Sequence, residues 1–222
     1  MSTSERQGFT VQNKYSAEAL AKLRADVKAL MSEKRYGHTL AVEEEAVYIA
    51  GFVLPEKTDM LRAAALLHDI AKELSSEKQL NYIERFDIIT DSAKDVPPAV
   101  MHAAAAPGAV AELFSDYADP EILSAVRWHT TGRRGMTVFD AVIFIADYTE
   151  ATRRYDSCRK CREMLHTSLE KSRDRDEAVR ALADAVGMSL ADTLMHVKEK
   201  GSALDCDTVE ALRFIEEGNI PV

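Results

Sequence analysis

The feature that most constrains this chain is the spacing of its apolar residues, which recur at three- and four-residue intervals almost from end to end. Leu20, Leu23, Val27, Leu30 and Met31 set the pattern. Residues so spaced share one face of a helix, whereas a half-buried strand needs alternation at every second position. That alternation is scarce, so an all-α fold is expected. A helix over Ser16–Lys34 begins at a capping serine with Glu18 in its first turn. A second is expected from about His38 to Leu54, stopped before Pro55. A third covers about Lys57 to Lys72 and a fourth Ser76 to Phe86. DIITDSAKDVPP (87–98) reads as a loop, with Pro97 and Pro98 opening a helix that carries Met101 and His102. Pro107-Gly108 is expected to open the next helix, and Asp119-Pro120 one that ends near His129. TTGRRGMT is a loop around Gly132 and Gly135, and Thr137 starts TVFDAVIFIADYTEA. Three further helices are expected from Cys158 to Val222, split near Arg173, Gly187 and Gly201. No repeat or linker interrupts the pattern. Residues 16–222 are therefore expected to form one domain behind a flexible leader, residues 1–15.

The 222 residues, 46% hydrophobic and 29% charged, suffice for one sizeable core. No apolar stretch approaches the ~18 residues of a membrane span. The N-terminus MSTSERQGFTVQNKYS lacks the apolar core of a signal peptide, so a cytoplasmic protein without a membrane partner is expected. A net charge of -9 repels polyanions and argues against nucleic acid as a partner. A small phosphorylated ligand stays compatible if a metal or a few arginines reverse the field locally. The three cysteines, Cys158, Cys161 and Cys206, are an odd number and read as reduced thiols. CRKC has the spacing of a metal pair, with His166 five residues on, but a structural zinc site needs four ligands and the fourth is not nearby.

The chemistry-bearing residues are histidines and aspartates in apolar surroundings. His68 and Asp69 follow the run LRAAALL directly, where an ionisable pair is costly unless it is paired or holds a metal. Neighbouring helical residues stand about 100° apart, so both can reach one ion. His38 and Asp147 could add two more ligands. His102 and His129 could bind a second ion, with the Asp69 carboxylate bridging. Such nitrogen and oxygen donors suit iron, manganese or zinc. Asp147 lies deep in the apolar segment VIFIAD and is read as a ligand. Asp140 fits a variant capping box with Thr137 and is read as mainly structural.

The order His38, His68-Asp69, His102, His129, Asp147 resembles the HD-domain metal-dependent phosphohydrolases. EKRYGHTLAVE, LLHDIAKEL, AVRWHTTGRRGMTVFDAVIFIADYTE and LDCDTVEALRFI are similar, more narrowly, to the YqeK family. These are bacterial symmetrical bis(5'-nucleosyl)-tetraphosphatases, which split diadenosine tetraphosphate into two ADP. The resemblance runs from about Glu33 to Ile215. It implies a single HD-domain helical bundle with a dinuclear metal site at its centre. The implied ions are two irons (manganese, zinc or cobalt as alternatives), held by His38, His68, Asp69, His102, His129 and Asp147. The implied partner is a small nucleotide, and a homodimer is left open.

Asp69, Lys72 and Arg133 are the expected catalytic residues. Lys72, four residues after His68, could neutralise a phosphate oxygen or simply snorkel at the surface. Arg133 follows His129 in a glycine-flanked loop, and its fork fits phosphate. Arg134 is the second choice, and Thr130 and Thr131 could shape the loop. Arg153, Arg154 and Tyr155 could reach the distal phosphates or base, but read more simply as a solvated helix end. Two rivals remain: an HD phosphohydrolase acting on a nucleoside monophosphate, a deoxynucleoside triphosphate or a guanosine alarmone, and a nucleotide sensor without turnover.

Overall fold

The computed structural model describes residues 14–86, 97–201 and 204–221. Ten α-helices carry them, and no strand occurs among the described residues. In chain order these are α1 (Ala17–Lys28), α2 (Glu33–Val53), α3 (Thr58–Leu67), α4 (Ser76–Arg85) and α5 (Met101–Leu113). Then come α6 (Pro120–Trp128), α7 (Val138–Thr149), α8 (Asp156–Lys171), α9 (Arg175–Glu199) and α10 (Cys206–Glu216). The all-α expectation holds. Most of the proposed leader, residues 1–13, and most of the expected loop, residues 87–96, lie outside the described residues. Tyr15 packs against the core, its ring 6.1 Å from that of Tyr117.

The bundle is built around α7. Every residue from Val138 to Ala146 is buried, and the helix packs against α2, α3, α6, α8 and α9. A helix apolar on all sides can only be an interior one. Its start is fixed by a capping box: Thr137 Oγ1 accepts from the Asp140 N–H at 3.0 Å, and the Asp140 carboxylate accepts from the Thr137 N–H at 3.1 Å. Truncating Phe139, 1% exposed on this helix, would cost about 3–5 kcal/mol. α2 lays Val42, Ala46, Ile49 and Val53 against α3, whose Leu61, Leu66 and Leu67 complete that part of the core.

The helix boundaries differ from the sequence expectation in five places, each with a local cause. Ser16–Lys34 is not one helix. It ends at Lys28, and Ser32 starts α2 by accepting the Arg35 N–H on its hydroxyl. His38 thus lies inside α2 rather than at its start. α3 stops at Leu67, short of Lys72, because the His68 imidazole Nδ1 takes the Ala65 carbonyl at 2.6 Å. That is the acceptor a continued helix would give to the Asp69 N–H. Tight turns follow, with Lys72 N–H on Asp69 O and Leu74 N–H on Ala71 O. Pro107 lies inside α5 instead of opening a new helix. The interior proline leaves the Ala103 carbonyl without its usual donor, a cost of about 3 kcal/mol that the buried packing of Ala103 to Val110 offsets. Gly108 lets α4 approach: a Cβ there would stand 2.8 Å from Phe86 Cδ2 and 3.2 Å from the Tyr82 carbonyl. α9 runs unbroken through Gly187, where a Cβ would meet Ile215 of α10 at 3.1 Å. That glycine serves helix packing and breaks nothing.

Candidate metal centre

Separate helices deliver six side chains to one place. His38 comes from α2, His102 from the first turn of α5 and Asp147 from the last turn of α7. His68 and His129 are the residues that end α3 and α6, and Asp69 follows His68 in the turn. The two helix-ending histidines are built alike. His129 Nδ1 reaches the Val126 carbonyl at 2.8 Å, as His68 Nδ1 reaches that of Ala65. A carbonyl accepts only, so each Nδ1 carries a proton and each Nε2 is the ring nitrogen left to face inward.

Asp69 stands between two sets of imidazoles. Its Oδ2 lies 3.4 Å from His68 Nε2 and 3.7 Å from His38 Nε2. Its Oδ1 lies 3.4 Å from His102 Nε2 and 3.5 Å from His129 Nε2. His102 and His129 bring their Nε2 atoms within 3.2 Å, and His38 Nε2 stands 3.0 Å from Asp147 Oδ1. Two donors at about 2.0–2.2 Å from a shared ion stand about 3.0–3.4 Å apart, so these spacings suit cation coordination. The buried atoms His38 Nε2, His68 Nε2 and Asp69 Oδ1 make no hydrogen bond among the described residues. An unsatisfied buried polar atom is costly, and three converging ones fit a bound cation. Two triads, His38–His68–Asp147 and His68–Asp69–His129, each offer ligand atoms within 4.8 Å of one another.

The local electrostatics are strongly perturbed. Burial opposes charge on Asp69, but His68 and His129 outweigh it and hold the carboxyl well below its usual range. Burial alike opposes charge on His38, yet the Asp147 and Glu150 carboxylates raise it to about 9. His102 is pushed down to about 2, by burial first and then by His129 and Lys72. It is therefore a neutral imidazole with lone-pair density to offer. Burial also lowers Lys72, whose Nζ stands 3.1 Å from His102 Nε2.

Among the expected substrate residues, Lys72 and Thr130 are brought to the centre, Thr130 Oγ1 lying 3.2 Å from His102 Nε2. Thr131 is buried and donates to the Gly132 carbonyl. Arg133 and Arg134 are directed elsewhere. Arg133 Nη2 binds the capping-box Asp140 at 2.9 Å, and Arg134 pairs with Glu217 of the C-terminal segment at 2.9 Å. The loop turns them away because Gly132, at φ +65°, fits against Ala211 of α10 and Leu190 of α9. Other residues take the positions beside the carboxylates. Arg35 Nη1 donates to Asp69 Oδ2 at 2.6 Å, and Arg153 Nη2 to Asp147 Oδ1 at 2.5 Å. Glu150, buried, faces His38 Nδ1 at 3.2 Å. Arg35 sits three residues before His38, a spacing that places it on the same helix face and was a readable signal. Arg153 is thus not a solvated helix end. Cys158 and Cys161 are buried free thiols apart from the centre's donors; burial pushes Cys161 up to about 12.

Comparison with known proteins agrees with this geometry. The HD domain family model matches residues 35–152, a span that contains all six side chains. A protein of Bacillus subtilis (strain 168) named "Bis(5'-nucleosyl)-tetraphosphatase, symmetrical" is 29% identical over 196 residues, covering 88% of this chain and 96% of that protein. A protein of the same name from Staphylococcus aureus is 32% identical over 149 residues, 65% of this chain and 74% of its own length. The crystal structure of a "predicted HD superfamily hydrolase involved in NAD metabolism" from Clostridium acetobutylicum aligns with a TM-score of 0.72 at 27% identity. That alignment covers 90% of this chain and 97% of the other. With family model, relatives and fold in agreement, this chain belongs to the HD-domain hydrolases, in the family of the symmetrical bis(5'-nucleosyl)-tetraphosphatases.

Proposed function

We propose that the chain hydrolyses diadenosine tetraphosphate, and related dinucleoside polyphosphates, symmetrically to two nucleoside diphosphates. The observation that carries the reading is Asp69, one carboxylate oxygen toward His38 and His68 and the other toward His102 and His129. The relatives' shared name, over most of the chain, supplies the substrate class. His38, His68, Asp69, His102, His129 and Asp147 would hold two divalent cations. Bound there, such cations lower the pKa of water from about 16 toward neutrality and offset charge on phosphate oxygens.

The protein's own groups have separable tasks. The Ala65 and Val126 carbonyls hold the His68 and His129 rings in one orientation and tautomer. Lys72, beside the His102–His129 pair, brings an ammonium to neutralise a phosphate oxygen. Arg153 fixes Asp147 and lines the adjoining cavity. Iron is proposed as the resident metal: the imidazole and carboxylate donors, with no thiolate, suit iron, manganese, zinc or cobalt, and the family resemblance favours iron. Residues 16–222 are taken as one domain because α8 and α9 pack on the family-matched helix α7 and α10 on α9. Free Cys158, Cys161 and Cys206 support a reducing, cytoplasmic setting.

Product chromatography of the metal-loaded protein with diadenosine tetraphosphate tests the reading. ADP as the sole product is expected; AMP with ATP would exclude symmetrical cleavage.

A further inference from the structure

The face of α9 that packs inward changes character along its length. Its first part buries Val179, Leu182, Val186 and Leu190 in the core. From Ser189 on, a polar stripe of Ser189, Asp192, Thr193 and His196 recurs at helical spacing and lines a cavity of about 420 Å³. A small-ligand site occupies about 300–1,000 Å³. His129, Thr130 and Asp147 line the same cavity, so it opens directly onto the metal centre. Ser189, Asp192 and Thr193, buried or half-buried, therefore face the cavity, while His196 lies at its exposed rim.

Two observations show that the stripe has unused hydrogen-bonding capacity. Ser189 is 1% exposed, and its Oγ makes no hydrogen bond among the described residues. Asp192 is positioned by Tyr148, whose hydroxyl donates to Oδ2 at 2.6 Å, while Oδ1 makes no hydrogen bond among the described residues. The cavity also carries both signs of charge: Arg153, bonded to Asp147, and the α9 residues Asp192 and Glu199 all line it. Phosphate is drawn to the arginine and repelled by the α9 carboxylates. Phe144 and Met195 add apolar wall.

We propose that this cavity is the nucleoside subsite, and that Asp192 with Ser189 selects the nucleoside by accepting a hydrogen bond from one of its donors, a ribose hydroxyl or an exocyclic amine. The inference rests on the nucleotide reading of the site and adds the residues that read the nucleoside. A carboxylate at this position attracts donors and rejects phosphate, so it fixes which way the nucleotide lies. The hydroxyl of Ser189, buried without a partner among the described residues, gains one from the nucleoside.

The test is calorimetric binding of ADP to the manganese-loaded protein, comparing wild type with Asp192→Asn and Ser189→Ala. Asp192→Asn keeps an acceptor for Tyr148 but loses the charge, and should weaken ADP about tenfold. Ser189→Ala should weaken ADP severalfold while raising the melting temperature, because it removes an unsatisfied buried hydroxyl. A residue serving only the fold would not move the two in opposite directions. Titrations with 2'-deoxy-ADP, 3'-deoxy-ADP and inosine diphosphate identify the donor. The analogue that lacks it should bind wild type about tenfold more weakly, and Asp192→Asn no more weakly than ADP does. Unchanged ADP binding in both variants overturns the proposal, as does a wild type indifferent to all three analogues. If that happens while diadenosine tetraphosphate still yields ADP, the hydrolase reading stands. If the wild type yields no ADP, the hydrolase reading falls on its own.

Discussion

The two faces of the metal centre are held in different ways. On the inner face, His68 and His129 are almost wholly buried and each is oriented by a main-chain carbonyl. On the outer face, His38 and Asp147 are more open, with side chains 12% and 19% exposed. There the orienting groups are other side chains, Glu150 for His38 and Arg153 for Asp147. A carbonyl in a helical turn does not titrate and survives any side-chain substitution. A carboxylate or guanidinium can be removed by one codon. The inner face is thus preorganised by secondary structure, while the outer face, which meets the cavity, is adjustable.

This contrast can be broken at graded strength. Asp69→Ala touches both faces and should reduce bound metal and hydrolysis to background, read by elemental analysis and product chromatography. Full activity in that variant would remove the metal-site reading. On the outer face alone, Glu150→Gln should weaken metal binding about 10–100-fold, measured by competition with a chelator. Val126→Ala is the matching inner-face change: the carbonyl on His129 remains, so metal affinity should stay within about threefold while the core loses packing. Thr137→Ala removes half of the capping box that starts α7 and should cost about 1 kcal/mol in a denaturant melt, with metal retained. Smallest of all, Arg134→Ala breaks a pair that is about half exposed at both ends. It should shift stability by less than about 0.5 kcal/mol and leave hydrolysis unchanged. A strong loss of activity there would return Arg134 to the substrate site.

The helical class was legible because apolar spacing is a local property, and α7 was legible because an all-round apolar run has only one place to go. The six-residue constellation stood out for a related reason: buried ionisable groups such as Asp69 need partners wherever the chain takes them. Helix limits were less readable. Pro107 and Gly187 look like breaks in sequence, yet both lie in helices that packing sustains. The end of α3 depends on a histidine ring competing for a carbonyl, which no propensity describes.

By itself, the sequence determined that helices would form, which faces would be buried, and that histidines and aspartates would lie where charge is expensive. Only the tertiary structure decided which cation meets which carboxylate. Arg35 and Arg153 reach Asp69 and Asp147, while Arg133 and Arg134 turn toward Asp140 and Glu217. The physical reason is range. Burial and periodicity act between neighbours along the chain, but an arginine side chain settles on whichever carboxylate the packed helices leave within reach, and that distance exists only after folding.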